Sequence, residues 1–118
     1  MPRLYFAVDL KDDPALIAEY ERWHRPERVW PEVVAALTAE GVKELEIFRC
    51  GNRLMMVMDA PRDFHSVDQA ATGGGRTAQW EELMWRFQQA LPFAEPGQKW
   101  VPMHRIFSLT GSLKGQRQ

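Results

Sequence analysis

The sequence predicts an α+β domain: a ferredoxin-like antiparallel sheet with helices on one face, closing with a second copy into a dimeric α+β barrel. Three observations lead there. The elements run strand, helix, helix, strand, strand, helix, strand within 118 residues, a strand–helix–strand–strand–helix–strand pattern once the two adjacent helices count as one layer. A hairpin sits at the centre of that order. And helices on one sheet face leave the other apolar face open, which a second sheet would cover.

Leu4 to Leu10 is rich in aromatic and branched residues and reads as the first strand. Asp13 and Pro14 open a helix, the first as N-cap acceptor, the second where a missing N–H costs nothing. This helix runs to about His24, carries Ile17, Tyr20 and His24 on one face, and ends before Pro26. Trp30-Pro31-Glu32 opens a second helix with the stripe Val33, Val34 and Leu37, and Gly41 is a natural residue just past its end. Glu44 to Arg49 alternates as a half-buried strand, Gly51-Asn52 turns, and Leu54 to Met58 reads as a strand buried on both faces.

Asp63 to Arg76 is the least determined region, and Thr72-Gly73-Gly74-Gly75 reads as a flexible loop. It lacks the Lys-Ser/Thr ending and the preceding strand of a phosphate cradle. The third helix is expected over Thr77 to Ala90, with Trp80, Leu83, Met84 and Phe87 inward and Leu91 continuing the stripe to Pro92. A polar stretch then leads to a last strand near Met103 to Leu109. Residues 1–110 form one domain, and 111–118 a polar, frayed tail.

Composition narrows the function. The chain is 45% hydrophobic and 26% charged, ordinary for a globular fold. Its 15 basic and 16 acidic residues leave a net charge of −1, which gives no footprint for nucleic acid or an anionic membrane. With the single Cys50 there is no internal disulfide and no multi-cysteine metal site; that and the lack of a long apolar run point to the cytoplasm. Five Trp residues are the one oddity, suited equally to a core, an interface or the apolar face of a pyranose.

Tyr20 and His24, four apart on a helix, can reach one pocket. Histidine can give and take a proton near neutral pH, which opening and reclosing a sugar ring requires. Taken alone, such a pair reads more readily as a structural hydrogen bond. Glu46 is divided evenly between a sugar-hydroxyl acceptor and a solvent-face residue, and Glu32 between substrate contact and a partner for its helix N-terminus. Arg49 reads as a surface or ion-pair residue, Cys50 as an apolar filler, and the run of Met55, Met56 and Met58 as core; His65 and His104 stand away from any metal-ligand spacing.

Glu19-Tyr20-Glu21-Arg22-Trp23-His24, followed by Val29-Trp30-Pro31-Glu32, resembles the signature region of the L-rhamnose mutarotase family. The resemblance continues through Glu46-Ile47-Phe48-Arg49, Gly51 to Leu54, Trp80 to Trp85, Phe87-Gln88-Gln89, Lys99-Trp100-Val101 and Arg105-Ile106-Phe107. It implies an aldose mutarotase that interconverts the α and β anomers of a 6-deoxy-L-hexose by acid/base ring opening, with no cofactor and no metal. His24 would be the proton donor, Tyr20 a sugar contact, and Trp80 part of an aromatic sugar platform; Glu81, Glu46, Trp30 and Trp85 complete the expected substrate-binding set. The chain departs from the family where the second platform Trp becomes Glu81, with Trp85 further on, where a sugar-contacting Tyr becomes Leu45, and in a longer loop at 25–28. The first two bear on the choice between L-fucose and L-rhamnose, since an unpaired buried polar group costs about 1–3 kcal/mol, and they lean slightly toward L-fucose. A haem- or cofactor-using monooxygenase of the same barrel class and a non-catalytic sugar-binding homodimer are the alternatives.

Overall fold

A computed structural model describes residues 3–61 and 75–111. The expected loop of residues 72–74, His65 and the tail beyond Gly111 lie outside the described residues. Strand β1 spans Arg3–Leu10, helix α1 Pro14–Trp23, helix α2 Pro31–Ala39, strand β2 Glu44–Cys50 and strand β3 Arg53–Asp59. Helix α3 follows at Gly75–Trp85, then two short strands, β4 at Gln88–Gln89 and β5 at Val101–Pro102.

The sheet order is β2-β3-β1-β4, with β5 also pairing β1 and every pairing antiparallel. This is the ferredoxin-like order, in which β3 lies between the parallel strands β1 and β2. The fold is that of the dimeric α+β barrel class, a curled half-barrel with helices on one face. Register sorts the side chains: Phe6 faces Met56 and Val8 faces Leu54, all buried on the helix side with Leu10, Met58 and Met84. Tyr5, Ala7, Met55, Val57, Glu46 and Phe48 alternate onto the other side. Strand β3 is therefore buried on one face and not on both: Met55 and Val57 are only partly covered, because among the described residues no helix lies over that face.

Local signals act as expected in the first half of the chain. The Asp13 carboxylate accepts from the Ala15 and Leu16 amides at 2.9 and 3.3 Å, with Pro14 opening α1. Helix α2 ends in a Schellman arrangement: Gly41 N–H donates to Thr38 O at 3.0 Å and Val42 N–H to Leu37 O at 3.1 Å. Gly41 has φ +90°, and a Cβ there would sit 3.0 Å from Pro61 Cγ, so glycine fits this corner for two reasons. Gly51, at φ +61°, makes the two-residue hairpin turn, and the Asn52 side chain donates to Leu10 O at 3.0 Å.

The second half differs from its sequence pattern. Helix α3 stops at Trp85 instead of Ala90, closed by Arg86 N–H to Leu83 O and Phe87 N–H to Met84 O. The chain then leaves helical geometry because the edge of β1 offers pairing: Gln88 sits opposite Leu10, Gln89 opposite Asp9, and Lys11 N–H reaches Phe87 O at 2.8 Å. The last strand also falls earlier than expected. Val101 and Pro102 pair Ala7 and Phe6, while 103–108 has no regular structure. Ile106 and Phe107 are 92% and 67% exposed, with little to pack against among the described residues, so apolar character alone makes no strand there. Cys50 is exposed at the end of β2 instead of filling a core gap. Among the described residues no helix is long and apolar enough to cross a membrane.

Candidate active site

Between the helices and the sheet lies a cavity of about 350 Å³, near the small end of the roughly 300–1,000 Å³ typical of small-molecule sites. Its floor is Ile47, Leu45 and Met56 from the sheet; α1 contributes Tyr20 and His24, and α3 contributes Trp80, Glu81 and Met84. Val33, Leu37 and Trp100 enclose it further. The lining is mostly apolar with a few converging polar groups, the composition that binds and orients an uncharged polar ligand.

His24 is the C-cap of α1, at φ −95° and ψ 5°. That places its ring back over the last turn, where Nδ1 lies 2.8 Å from the Tyr20 carbonyl oxygen. A carbonyl only accepts, so Nδ1 carries the proton of the neutral imidazole and Nε2 keeps its lone pair. Burial pulls the His24 pKa below its ordinary value, outweighing the opposing effect of the backbone bond, and so favours that neutral form. Nε2 is then a proton acceptor.

The Tyr20 ring lies 4.5 Å from that of His24, and its hydroxyl accepts from Gln88 Nε2 at 3.1 Å. Burial pushes its pKa up, aided by the carboxylate of Glu81 and opposed by the Gln88 bond, so Tyr20 stays a phenol. The oxygen already accepts from an amide, which leaves its own hydrogen to be given away. One helix face thus holds a neutral base and a neutral acid side by side.

Trp80 closes the cavity and is itself locked. Its ring meets His24 at 5.6 Å, Trp30 at 5.3 Å and Trp23 at 6.3 Å, each edge to face. Arg76 stacks 3.8 Å over Trp30 and bonds Glu32 at 2.9 Å, tying the starts of α2 and α3 together. The Glu32 carboxyl is held below its usual range first by its own backbone N–H at the helix start, then by Arg76. Glu32 is exposed and does not line the cavity, and Arg49 is joined to Glu21 in an ion pair.

Of the expected residues, the structure brings His24, Tyr20, Trp80 and Glu81 together and leaves three elsewhere. Glu46 lies on the opposite sheet face, across from Val57, because strand alternation that turns Leu45 and Ile47 into the cavity turns Glu46 away. Trp85 is five residues past Trp80, about 140° around the helix; it leaves the cavity and lies under the Lys99 ammonium at 5.3 Å. Trp30 buttresses Trp80 from behind without lining the cavity. Sequence reasoning missed Gln88, which lines the site and is 2% exposed. The signal was a polar residue four past Met84 in an otherwise apolar stripe. Among the described residues no group of three or more His, Cys, Asp or Glu converges as metal ligands.

A half-barrel whose small, mainly apolar cavity holds an imidazole and a phenol has the lining of a site for a small polar molecule. Comparison with known proteins agrees. A family model for L-rhamnose mutarotase matches residues 3–109, and the chain belongs to that family of carbohydrate isomerases. It is 53% identical over 119 residues to an L-fucose mutarotase of Xanthomonas campestris pv. campestris, covering 99% of this chain and 95% of that protein. An L-rhamnose mutarotase of Acidiphilium cryptum is 32% identical over 110 residues, covering 92% and 99%. The crystal structure of an L-rhamnose mutarotase from Formosa agariphila has the same fold, with TM-score 0.67, 22% identity and coverage of 92% and 99%. Family membership displaces the fold-level analogy to monooxygenases.

Proposed function

We propose that this protein interconverts the α and β anomers of a 6-deoxy-L-hexose, with L-fucose preferred over L-rhamnose. The observation that carries the reading is the neutral Tyr20–His24 pair at the end of a monosaccharide-sized cavity. His24 Nε2 takes the proton of the anomeric hydroxyl as the Tyr20 phenol gives its proton to the ring oxygen. The bond from the anomeric carbon to the ring oxygen breaks, and the open chain carries an aldehyde. Rotation about the adjoining carbon–carbon bond presents the other carbonyl face. On reclosure the former ring hydroxyl attacks, Tyr20 recovers its proton, and His24 returns its own to the new anomeric hydroxyl. His24 is thus base on opening and donor on closing, and every proton is restored. Trp80 supplies a flat apolar surface for the sugar.

The preference for L-fucose is supported by the 53% identical relative of that name, and by Leu45 and Glu81 in the cavity lining where the rhamnose pattern has Tyr and Trp. The working form is a homodimer joined across the open sheet face, where Tyr5 and Phe48 are exposed. A reducing cytoplasm suits the exposed Cys50.

Saturation-transfer NMR on the anomeric protons of L-fucose and L-rhamnose tests the reading. Catalytic amounts of protein should accelerate exchange, and His24→Asn should slow it by roughly 100- to 10,000-fold without unfolding the chain. Full activity in that variant would refute the mechanism.

A further inference from the structure

Gln88 is a buried polar residue of the cavity that no step above fully uses. It sits on β4 opposite Leu10, with its side chain on the helix face of the sheet, 2% exposed and lining the cavity. Its amide has two ends. Nε2 donates to the Tyr20 hydroxyl at 3.1 Å. Oε1 is buried and has no hydrogen-bond partner among the described residues. Buried polar atoms are nearly always paired, and Gln88 lines the cavity, so its orphaned acceptor points to a donor that arrives with the ligand.

We infer that Gln88 is a substrate-binding residue, its Oε1 accepting a hydrogen bond from a ring hydroxyl of the bound sugar while its Nε2 aims the Tyr20 proton at the reacting oxygen. The ligand class rests on the mutarotase reading. The two contacts are coupled through one planar amide, so a hydroxyl on Oε1 holds Nε2 in place. A sugar lacking a hydroxyl at that position both leaves Oε1 unpaired and frees the Tyr20 phenol to turn. Gln88 would therefore discriminate between sugars that differ only in hydroxyl configuration, a task that apolar neighbours such as Leu45 and Met84 cannot perform.

Two variants test this in the full-length chain, with L-fucose and L-rhamnose as probes, anomer exchange followed by NMR and binding by tryptophan fluorescence. Gln88→Met keeps length and apolar volume but removes both amide ends. It should lower kcat/KM roughly 10- to 100-fold for the preferred sugar and narrow the difference between the two sugars, while loss of the Tyr20 hydrogen bond lowers the melting temperature by on the order of 5–10 °C. Gln88→Glu separates acceptor from donor. Its protonated form can still donate to Tyr20 and accept from the sugar. Its ionised form accepts from Tyr20 and diverts that proton, so activity should fall as pH rises, through an ionisation the wild-type profile lacks. Wild-type kcat/KM in Gln88→Met, or a wild-type pH profile in Gln88→Glu, overturns the inference. If Gln88→Met does not fold, the Gln88→Glu profile decides. Should the wild-type protein bind L-fucose without exchanging its anomers, the mutarotase reading falls while Gln88 is still judged: a tenfold weaker affinity in Gln88→Met upholds it, and an unchanged one overturns it. Neither binding nor exchange of either sugar overturns both.

Discussion

Replacing Tyr20 with Phe removes one oxygen from the site and little else, which makes it the most discriminating single change. The ring keeps its place, since its contacts with His24 at 4.5 Å and Phe87 at 6.1 Å are ring contacts. What is lost is the acceptor for Gln88 Nε2, where Gln88 is 2% exposed. Orphaning a buried neutral donor costs about 1–3 kcal/mol, against a total stability of about 5–15 kcal/mol for such a domain. The variant should therefore fold, with a melting temperature lower by on the order of 5–10 °C. Catalysis should suffer far more. Without the phenol nothing positioned protonates the departing ring oxygen, and loss of a general acid costs roughly 100- to 10,000-fold. The assay is anomer exchange of L-fucose by NMR, run well below both melting temperatures so that stability cannot masquerade as rate. A Tyr20→Phe enzyme with wild-type kcat would refute the acid role and leave water as the proton donor.

Three further outcomes follow from the same geometry. His24 is held neutral by burial, below its unperturbed pKa of about 6.5. Activity should thus be full at neutral pH and fall only in mildly acid solution; the folded state is also stabilised above that unfolded value and loses this contribution as pH drops toward the lowered folded pKa, which thermal melts across pH 5–7 would detect. On the open sheet face the Asp9 carboxylate, with its side chain 8% exposed, is paired by Arg53 at 2.8 Å; Arg53→Ala should destabilise by roughly 1–3 kcal/mol in urea titrations, and an unchanged midpoint would show that Asp9 needs no partner. Phe48, 49% exposed beside Met55, should be central to the homodimer, so Phe48→Glu should shift light-scattering mass from dimer to monomer; a dimer unaffected by the charge would move the interface elsewhere.

Much of this architecture is decided locally and was legible without coordinates. Asp13-Pro14 caps α1, Gly41 closes α2 and Gly51 turns the hairpin because each residue's own donors, acceptors or φ freedom select the conformation. The spacing of Tyr20 and His24 puts both on one helix face whatever surrounds them. The chain's own pattern could not say which elements would be covered, or by what. Alternation separates Leu45 and Ile47 from Glu46 and Phe48, but only helices packed on one side make the first pair cavity wall and leave Glu46 outside. Helical periodicity runs through Phe87 to Leu91, yet β1 captures Gln88 and Gln89, because a strand edge pairs with whatever chain passes it, and a pairing so remote in sequence leaves no local trace. That capture also turns Gln88 toward Tyr20. Local chemistry thus sets the elements from β1 to β3, the start of α3 and the spacing of Tyr20 and His24; where α3 ends, where the last strands form and what covers each face are fixed by burial and long-range pairing, which depend on what else arrives at the same place.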